Sequence, residues 1–313
     1  AASPSPSRAV RAGHGKGFVL IAVVYLLGLF IGALDTGIVT PARTVIQGDL
    51  GITDQMSVWI ITVYTLAYAA AIPVMGKLAD RSGRKRIYLV SIALFGAGSL
   101  LCGLAQDVGS FWMLLGARAV QAVGGGGIVP VATAEFGTTF PPEKRGLALG
   151  LVGGVYGIAN IFGASAGSLM LSLFGQTNWQ FIFYVNVPIC AAIVAVGVFV
   201  LPNTRAEEVK PIDGFGIAVL VTMVLALLYG LKNLDFFDVG ASVASTDVWP
   251  FLLAFVVLLP LFVLSDSNKY TLPLGVQMFS SEHSVDTAQV LAFTSLAMIP
   301  ALICFTIFQK KIV

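Results

Sequence analysis

The chain has 313 residues, of which 57% are hydrophobic and only 11% are charged, and its mean hydropathy is +0.90. Roughly a quarter of the residues in soluble domains are charged, so this composition excludes an ordinary soluble protein and indicates a polytopic membrane protein in a lipid bilayer. The net charge of +2 is small and the cations do not form a stripe, which argues against binding to nucleic acid.

The first segment of the chain, residues 1–17, is rich in Ser, Pro, Ala and Gly, so we expect a disordered cytoplasmic tail. The apolar segments beyond it have the ~20 residues that a helix needs to cross a bilayer, without the alternation of barrel strands. We therefore predict an all-α protein with transmembrane helices at 18–40, 57–77, 87–105, 111–134, 146–172, 180–201, 214–232 and 248–264, and a last one at 287–308.

The charges between these spans predict the orientation of the chain. Segments on one side hold clusters of Lys and Arg, whereas segments on the other side hold mainly Asp, with Arg43 and Lys232 as exceptions. Because short loops rich in Lys and Arg stay in the cytoplasm, the amino-terminus is predicted to be cytoplasmic.

Charged side chains inside the spans are costly in hydrocarbon, so each is a candidate site residue. Asp35 lies about 25 Å along the first helix at ~1.5 Å per residue, and Arg118 has a similar depth in the fourth. Opposite charges in one apolar cavity stabilise each other, which predicts an ion pair or a shared proton site, with Gln121 on the same face as Arg118. Alternatively, Asp35 reaches the outer interface and Arg118 extends to the membrane surface.

A short basic segment, Gly76 to Arg86, separates the second and third spans. Its spacing resembles the signature loop between the second and third helices of major facilitator superfamily transporters, on Gly76, Asp80, Arg81, Gly83 and Arg84. The resemblance implies a gating loop in which Asp80 meets the amino-terminus of a helix in the other half of the transporter. The simpler interpretation is a solvated basic turn that only sets the topology.

Further segments resemble the fourteen-span drug:proton antiporter branch of that family. They are Ala33 to Ala42 around Asp35, Arg118-x-x-Gln121-x-x-Gly124, Trp179 to Pro188 with Asn186, and Asp213-x-x-Gly216. The resemblance covers about 18–264 and implies an amino-terminal six-helix bundle of inverted repeats plus two inserted helices. It also implicates Arg118 in proton coupling.

The fifth span is crowded with glycines, and small residues let helices pack closely. The family's antiporter motif expects Gly-Pro-x-x-Gly-Gly in this span, and Gly163 and Gly167 preserve its glycine frame. The proline that would bend the helix is absent, which counts against proton antiport but leaves it open.

Glu135 lies near the inner end of the fourth span, at the depth of the basic segment. A salt bridge to Arg81 or Arg84 and an unpaired interfacial acid fit this position equally well. The other reactive side chains lack metal-binding spacing or stand alone, so we expect no metal, cofactor or catalytic site. These residues are Cys102, Cys190, Cys304, His14 and His283.

The last fifth of the chain departs from the charge pattern. If eight spans precede Ser265, the pair Lys310 and Lys311 would lie outside, against the positive-inside rule. Residues 269–277 and the final span resemble the carboxy-terminal end of sugar ABC-transporter permeases, which implies a junction near Leu264 between unrelated sequences.

The predicted organisation is a tail over 1–17, a six-helix transporter bundle over 18–201, a cytoplasmic linker with two further transmembrane helices over 202–264, and an anomalous tail over 265–313. The predicted function is secondary active transport in the plasma membrane, as proton-coupled efflux of drugs or other amphipathic small molecules by an incomplete chain. Asp35 would be the protonatable carboxylate, Arg118 its electrostatic partner and Gln121 a cavity-lining group. The alternatives are a non-transporting fragment or fusion and a sugar ABC permease subunit, while no nucleophile–base pair supports an enzyme.

Overall fold

A computed structural model of the chain describes residues 16–139, 145–204, 214–234 and 242–264. Within these ranges the regular structure is entirely helical, without a strand. Most of the predicted tail over 1–17, and everything predicted after residue 264, lie outside the described residues. The helices are α1 (Lys16–Asp49), α2 (Asp54–Ser82), α3 (Arg84–Val108), α4 (Phe111–Thr139), α5 (Arg145–Phe174), α6 (Phe181–Tyr184), α7 (Asn186–Val200), α8 (Gly214–Lys232) and α9 (Trp249–Leu264).

Seven helical segments in the described part are long and apolar enough to cross a membrane: α1 to α5, α6 with α7, and α8. The prediction of an all-α polytopic membrane protein is therefore confirmed. The eighth predicted span, 248–264, corresponds to α9, which has 16 residues. At ~1.5 Å per residue α9 is about 24 Å long, short of the ~30 Å of a bilayer core.

The basic segment between the second and third spans is not a loop, contrary to our prediction. Residues from Gly76 to Ser82 complete α2, α3 begins at Arg84, and Gly83 alone separates the two helices. Gly83 has φ 96° and ψ 135°, a conformation that glycine adopts at little cost, and its N–H donates to the Ala79 carbonyl. The 29 residues of α2 extend about 43 Å, so its charged end extends beyond a bilayer core.

Residues up to Ile217 form one compact unit in which α4 packs against α2 and α3, and α1 packs against α5. Two apolar clusters fill its interior at different depths. The first, around Tyr25, Tyr88 and Phe136, uses the amino-terminal half of α1. The second, around Ile38 and Trp179, uses the carboxy-terminal half. The short stretch of α1 between the two clusters carries Asp35.

Only part of the glycine-rich face of α5 packs against another helix. A Cβ on Gly163 would lie 2.8 Å from the Cα of Gly37, and one on Gly167 would overlap the Ile38 carbonyl oxygen. The other glycines of that span have open space where a side chain would stand, so close packing does not account for them in the described part of the chain. They are Gly146, Gly150, Gly153, Gly154 and Gly157.

The sixth span is interrupted between α6 and α7 at Val185. Pro188, in the first turn of α7, has no N–H to donate to the Tyr184 carbonyl four residues earlier, and its ring crowds that carbonyl. The backbone of Val185 keeps helical angles, φ −58° and ψ −30°, so the span continues with little change of direction.

The second compact unit begins at Ala218, inside α8, and its described part contains the rest of α8 and α9. The two helices approach closely at Gly230, where a Cβ would lie 2.9 Å from the Leu252 side chain. The rings of Tyr229 and Phe251 stand 4.3 Å apart, centroid to centroid. The described part of this unit is thus a packed helical pair.

Candidate functional site

The most deeply buried ion pair in the described residues joins α1 and α4. Arg118 Nη1 lies 2.7 Å from Asp35 Oδ2, and the two side chains are 1% and 0% exposed. Neither side chain reaches a surface, so the structure supports the predicted contact rather than the two interfacial alternatives. A short charge-assisted hydrogen bond of this kind compensates part of the cost of removing both charges from water.

Gln121 completes the α4 side of the site, as its spacing from Arg118 predicts. Its amide nitrogen donates to Asp35 Oδ1 at 2.8 Å, and its amide oxygen accepts from Arg118 Nη1 at 2.6 Å. Because Arg118 and Gln121 are three residues apart on one helix, their side chains share a face. The amide therefore bonds to both members of the ion pair.

Two further polar residues of the site were not predicted. Asn186 Nδ2 donates to Asp35 Oδ1 at 3.0 Å, and the Ser99 hydroxyl oxygen accepts from Gln121 at 2.7 Å and from Asn186 at 3.3 Å. All three side chains are buried. Asn186 lies in the motif that resembles the start of the sixth helix in the antiporter branch, whereas Ser99 has no distinguishing signal in the sequence.

Aromatic rings enclose the cationic side of the site. The guanidinium carbon of Arg118 stands 4.0 Å from the ring centroid of Tyr64 on α2 and 5.8 Å from that of Phe183 on α6. A cation over an aromatic face is stabilised by the ring's electron density, more so when water is excluded. Arg118 Nε also donates to the Ile60 carbonyl at 3.4 Å.

The carboxylate of Asp35 thus accepts three hydrogen bonds, two from the fourth span and one from the sixth. Oδ2 receives Arg118, and Oδ1 receives the amides of Gln121 and Asn186. The site thus surrounds one carboxylate with three N–H donors in an apolar interior.

A more open polar surface adjoins this site on α1, α2 and α5. The Thr36 hydroxyl lies 2.9 Å from Asn160 Oδ1, and the rings of Tyr64 and Tyr68 are stacked 5.9 Å apart. Thr36, Tyr68 and Tyr156 are half-buried, and Asn160 is exposed. We call Thr36, Tyr68, Tyr156 and Asn160 the aromatic–polar face.

A second polar cluster lies at the α2–α3 junction. Arg84 Nη1 is 3.4 Å from Glu135 Oε2 and also donates to the Thr138 hydroxyl. Thr204 joins α3 and α4, because its hydroxyl donates to Glu135 Oε2 at 2.6 Å and its carbonyl accepts from the Arg84 backbone N–H at 3.0 Å. Of the two pairings considered for Glu135, the structure contains the one with Arg84.

The remaining residues of the basic segment lie around this cluster. Gly76 and Asp80 are half-buried in α2, Arg81 is exposed, and Gly83 is buried at the junction. A gating role for these residues stays a prediction, as does an antiporter role for Gly163 and Gly167.

A sequence profile for the Major Facilitator Superfamily matches residues 25–313. This match runs through the tail after residue 264 and gives no support to a foreign origin or to the resemblance to sugar ABC permeases. The fourteen-span branch likewise stays a prediction.

Characterised and uncharacterised transporters are among the curated relatives. The chain is 38% identical over 226 residues to the uncharacterized MFS-type transporter YfiU of Bacillus subtilis, which covers 72% of this chain and 43% of that protein. It is 34% identical over 215 residues to Multidrug resistance protein 3 of the same species, a match that covers 69% of this chain and 40% of that protein. It is 36% identical over 238 residues to Efflux pump FUS6 of Gibberella fujikuroi, a match that covers 72% of this chain and 40% of that protein. The chain therefore spans less than half the length of these relatives.

Among solved structures, the crystal structure of the human organic anion transporter MFSD10 is similar, with a TM-score of 0.52 over 81% of this chain and 72% of that one. The two sequences are 13% identical, so this likeness supports the fold alone.

Proposed function

The chain belongs to the major facilitator superfamily, and from this premise we propose that it is part of a secondary active transporter that exports amphipathic small molecules in exchange for protons. The bundle predicted over 18–201 would supply one half of that transporter. The relatives named Multidrug resistance protein 3 and Efflux pump FUS6 support efflux as the direction of transport.

The observation that carries the proposal is the buried pair of Asp35 and Arg118. Ionisable groups inside membrane spans are costly and mark ion or substrate pathways. A buried pair is also weak evidence for stability, because apolar residues of similar volume often stabilise a protein as well or better. A pair with 1% and 0% exposure therefore fits a site whose charge changes during the work of the protein.

Protonation of Asp35 would weaken the contact between α1 and α4. With the carboxylate ionised, Arg118 bonds to Oδ2 and the two helices are held together. Once the carboxyl group carries a proton, Arg118 loses its counter-charge and retains the Tyr64 ring and the Gln121 amide oxygen. A conformation that offers Arg118 or a substrate a better partner then gains population, which couples the proton to the direction in which the transporter opens.

The aromatic–polar face is our candidate for substrate contact. Aromatic rings beside hydroxyl and amide groups suit a molecule with an apolar body and a few polar atoms. This surface adjoins the charged site through Thr36, the residue next to Asp35, and through Tyr64, which stacks on Tyr68. A bound substrate could therefore influence the ion pair directly.

The orientation and location of the protein belong to the same proposal. We place the amino-terminus in the cytoplasm, because the clustered cations occupy one side of the predicted spans. We place the protein in the plasma membrane, as the resemblance to drug:proton antiporters implies. The cluster of Arg84, Glu135 and Thr204 would then lie at the cytoplasmic end. There Asp80 and Arg81 would have the gating role that the family resemblance implies.

The test uses the complete protein, purified and reconstituted into liposomes. An imposed pH gradient should drive efflux of a fluorescent amphipathic dye in the wild type, and Asp35→Asn should abolish the dependence on the gradient while exchange of dye down its own gradient continues. Asp54→Asn is the matched control, because Asp54 is a 74% exposed acid at the start of α2 and should retain wild-type transport.

Full gradient-driven efflux by Asp35→Asn would refute proton coupling through this site. Transport that ignores the pH gradient already in the wild type would refute antiport altogether.

A further inference from the structure

The motif from Trp179 to Pro188 contains a residue, Asn186, to which the proposed mechanism gives no role. Asn186 is the first residue of α7, directly after the interruption of the sixth span, and it is 1% exposed. A primary amide at such a depth is costly unless its polar atoms are bonded. Asn186 is therefore a side chain whose presence requires an explanation.

Local backbone chemistry places Asn186 at the site. Pro188 interrupts the hydrogen-bond pattern of the sixth span, and α7 begins at Asn186 with little change of direction from α6. The side chain then points into the bundle, where its amide reaches Asp35 Oδ1 at 3.0 Å and the Ser99 hydroxyl at 3.3 Å. The last span of the bundle is thus bonded to the carboxylate through one residue.

We propose that Asn186 is a positioning residue for Asp35, whose amide occupies Oδ1 together with Gln121 and so directs the coupling proton to Oδ2. This inference rests on the proposed function, because it assigns the atom at which the proton of that site is taken up. The residue touches the carboxylate, and we assign it no contact with substrate.

The free acceptor positions of the two Asp35 oxygens determine which of them can take up the proton. Each carboxylate oxygen offers about two positions for hydrogen bonds. The Gln121 and Asn186 amides, at 2.8 Å and 3.0 Å, fill both positions on Oδ1. Oδ2 accepts from Arg118, which fills one of its two positions. The proton therefore bonds to Oδ2, and Oδ1 becomes the carbonyl oxygen of the neutral acid with its two amide donors in place.

Replacing Asn186 by a residue without an amide would remove one of the two hydrogen bonds to Oδ1. Oδ1 would keep only the Gln121 donor, and the carboxyl group could rotate so that either oxygen meets Arg118. Both Gln121 and Arg118 come from α4, so the carboxylate of α1 would keep no bond to the sixth span. We expect a slower coupled step with substrate affinity largely unchanged, because the side-chain amide of Asn186 bonds to Asp35 and Ser99, which are not part of the aromatic–polar face.

The experiment reads the carboxyl group directly, by infrared difference spectroscopy of the complete protein in lipid nanodiscs between alkaline and acidic buffer. The band of protonated Asp35 is identified by its loss in Asp35→Asn. In Asn186→Leu it should move to higher wavenumber, since the Oδ1 carbonyl has lost a donor. The control Cys190→Ala truncates another buried side chain on α7 and should leave the band in place. If the leucine variant does not fold, Asn186→Ala removes the same donor without added bulk.

Transport supplies the second readout. Asn186→Leu should lower the kcat of gradient-driven dye efflux about tenfold, the loss expected for one hydrogen bond to a charged group, with KM within about twofold. An Asp35 band at the wild-type position in both Asn186 variants, or no Asp35 band in the wild type, would overturn the positioning role. A shifted band combined with full gradient-driven efflux by Asp35→Asn would support the positioning role and refute the proposed function, so the two failures are distinguishable.

Discussion

Gly163 of α5 faces Gly37 of α1 so closely that a Cβ built on Gly163 would stand 2.8 Å from the Gly37 Cα and 2.9 Å from the Leu34 carbonyl oxygen. Leu34 and Gly37 flank Asp35 and Thr36 on α1. The glycine frame that resembles an antiporter motif therefore packs against the helical turn that carries the charged site. Small residues at helix contacts allow this approach in membranes.

The first prediction concerns this contact. Gly163→Ala should destabilise the fold by about 1–3 kcal/mol, because the added methyl group meets backbone atoms that can move only if the helices separate. Thermal unfolding of the purified protein in detergent measures the loss. Gly157→Ala is the matched control on the same helix, where the structure leaves open space, and it should be neutral or stabilising. Equal effects of the two substitutions would contradict the packing described for α1 and α5.

The second prediction concerns the buried ion pair. Arg118→Met should destabilise the protein by about 3–5 kcal/mol, because Asp35 would be left as a buried charge without its cation. Adding Asp35→Asn in the same chain should recover at least about 1 kcal/mol of that loss. Chemical denaturation of the single and double variants measures the coupling. Arg43→Met, in the partly exposed pair with Asp54 at 3.3 Å, should cost less than about 1 kcal/mol. Additive losses at residues 35 and 118 would show that the pair does not act as a unit.

The third prediction concerns the junction of α2 and α3. Gly83 has φ 96°, and a Cβ there would lie 3.3 Å from Asn203 Oδ1, so Gly83→Ala should lower stability by about 1–2 kcal/mol. Gly150→Ala introduces the same methyl group into an open helical position of α5 and should not lower it. Melting temperatures of the two variants, compared with the wild type, decide the matter. No loss at Gly83 would mean that the junction adopts another backbone conformation.

The fourth prediction concerns the polar cluster at this junction. Glu135→Gln removes the charge opposite the buried Arg84 and should weaken the attachment of Thr204, which bonds to both residues. Hydrogen–deuterium exchange of the Arg84 amide should therefore accelerate about tenfold, a loss of ~1.4 kcal/mol in local opening free energy. Asp107→Asn, at the opposite end of α3, should leave this amide unchanged. Unchanged exchange in Glu135→Gln would show that the ion pair does not hold the segment.

Several features of the protein follow from local sequence patterns. A helix needs a fixed number of apolar residues to cross a bilayer, so hydropathy alone identifies the class and most of the spans. Distance along a span gives depth, and depth placed Asp35 and Arg118 at the same level. Helical periodicity then put Gln121 on the same face as Arg118. For Glu135 the sequence left a salt bridge to Arg81 or Arg84 and an unpaired interfacial acid equally open, and the structure pairs it with Arg84.

Other features depend on how the helices are rotated and how far their ends extend, and only the tertiary structure decided them. Hydropathy is similar around most of each span, so it does not report which face of α3 or α7 meets α1. For that reason Ser99 and Asn186 were not expected beside Asp35. The charged residues from Gly76 to Ser82 read as a loop because they are polar, yet they continue α2 beyond the apolar region and leave the turn to Gly83 alone. Three-dimensional packing thus added to a predicted ion pair the amide from the sixth span that completes the hydrogen bonding of its carboxylate.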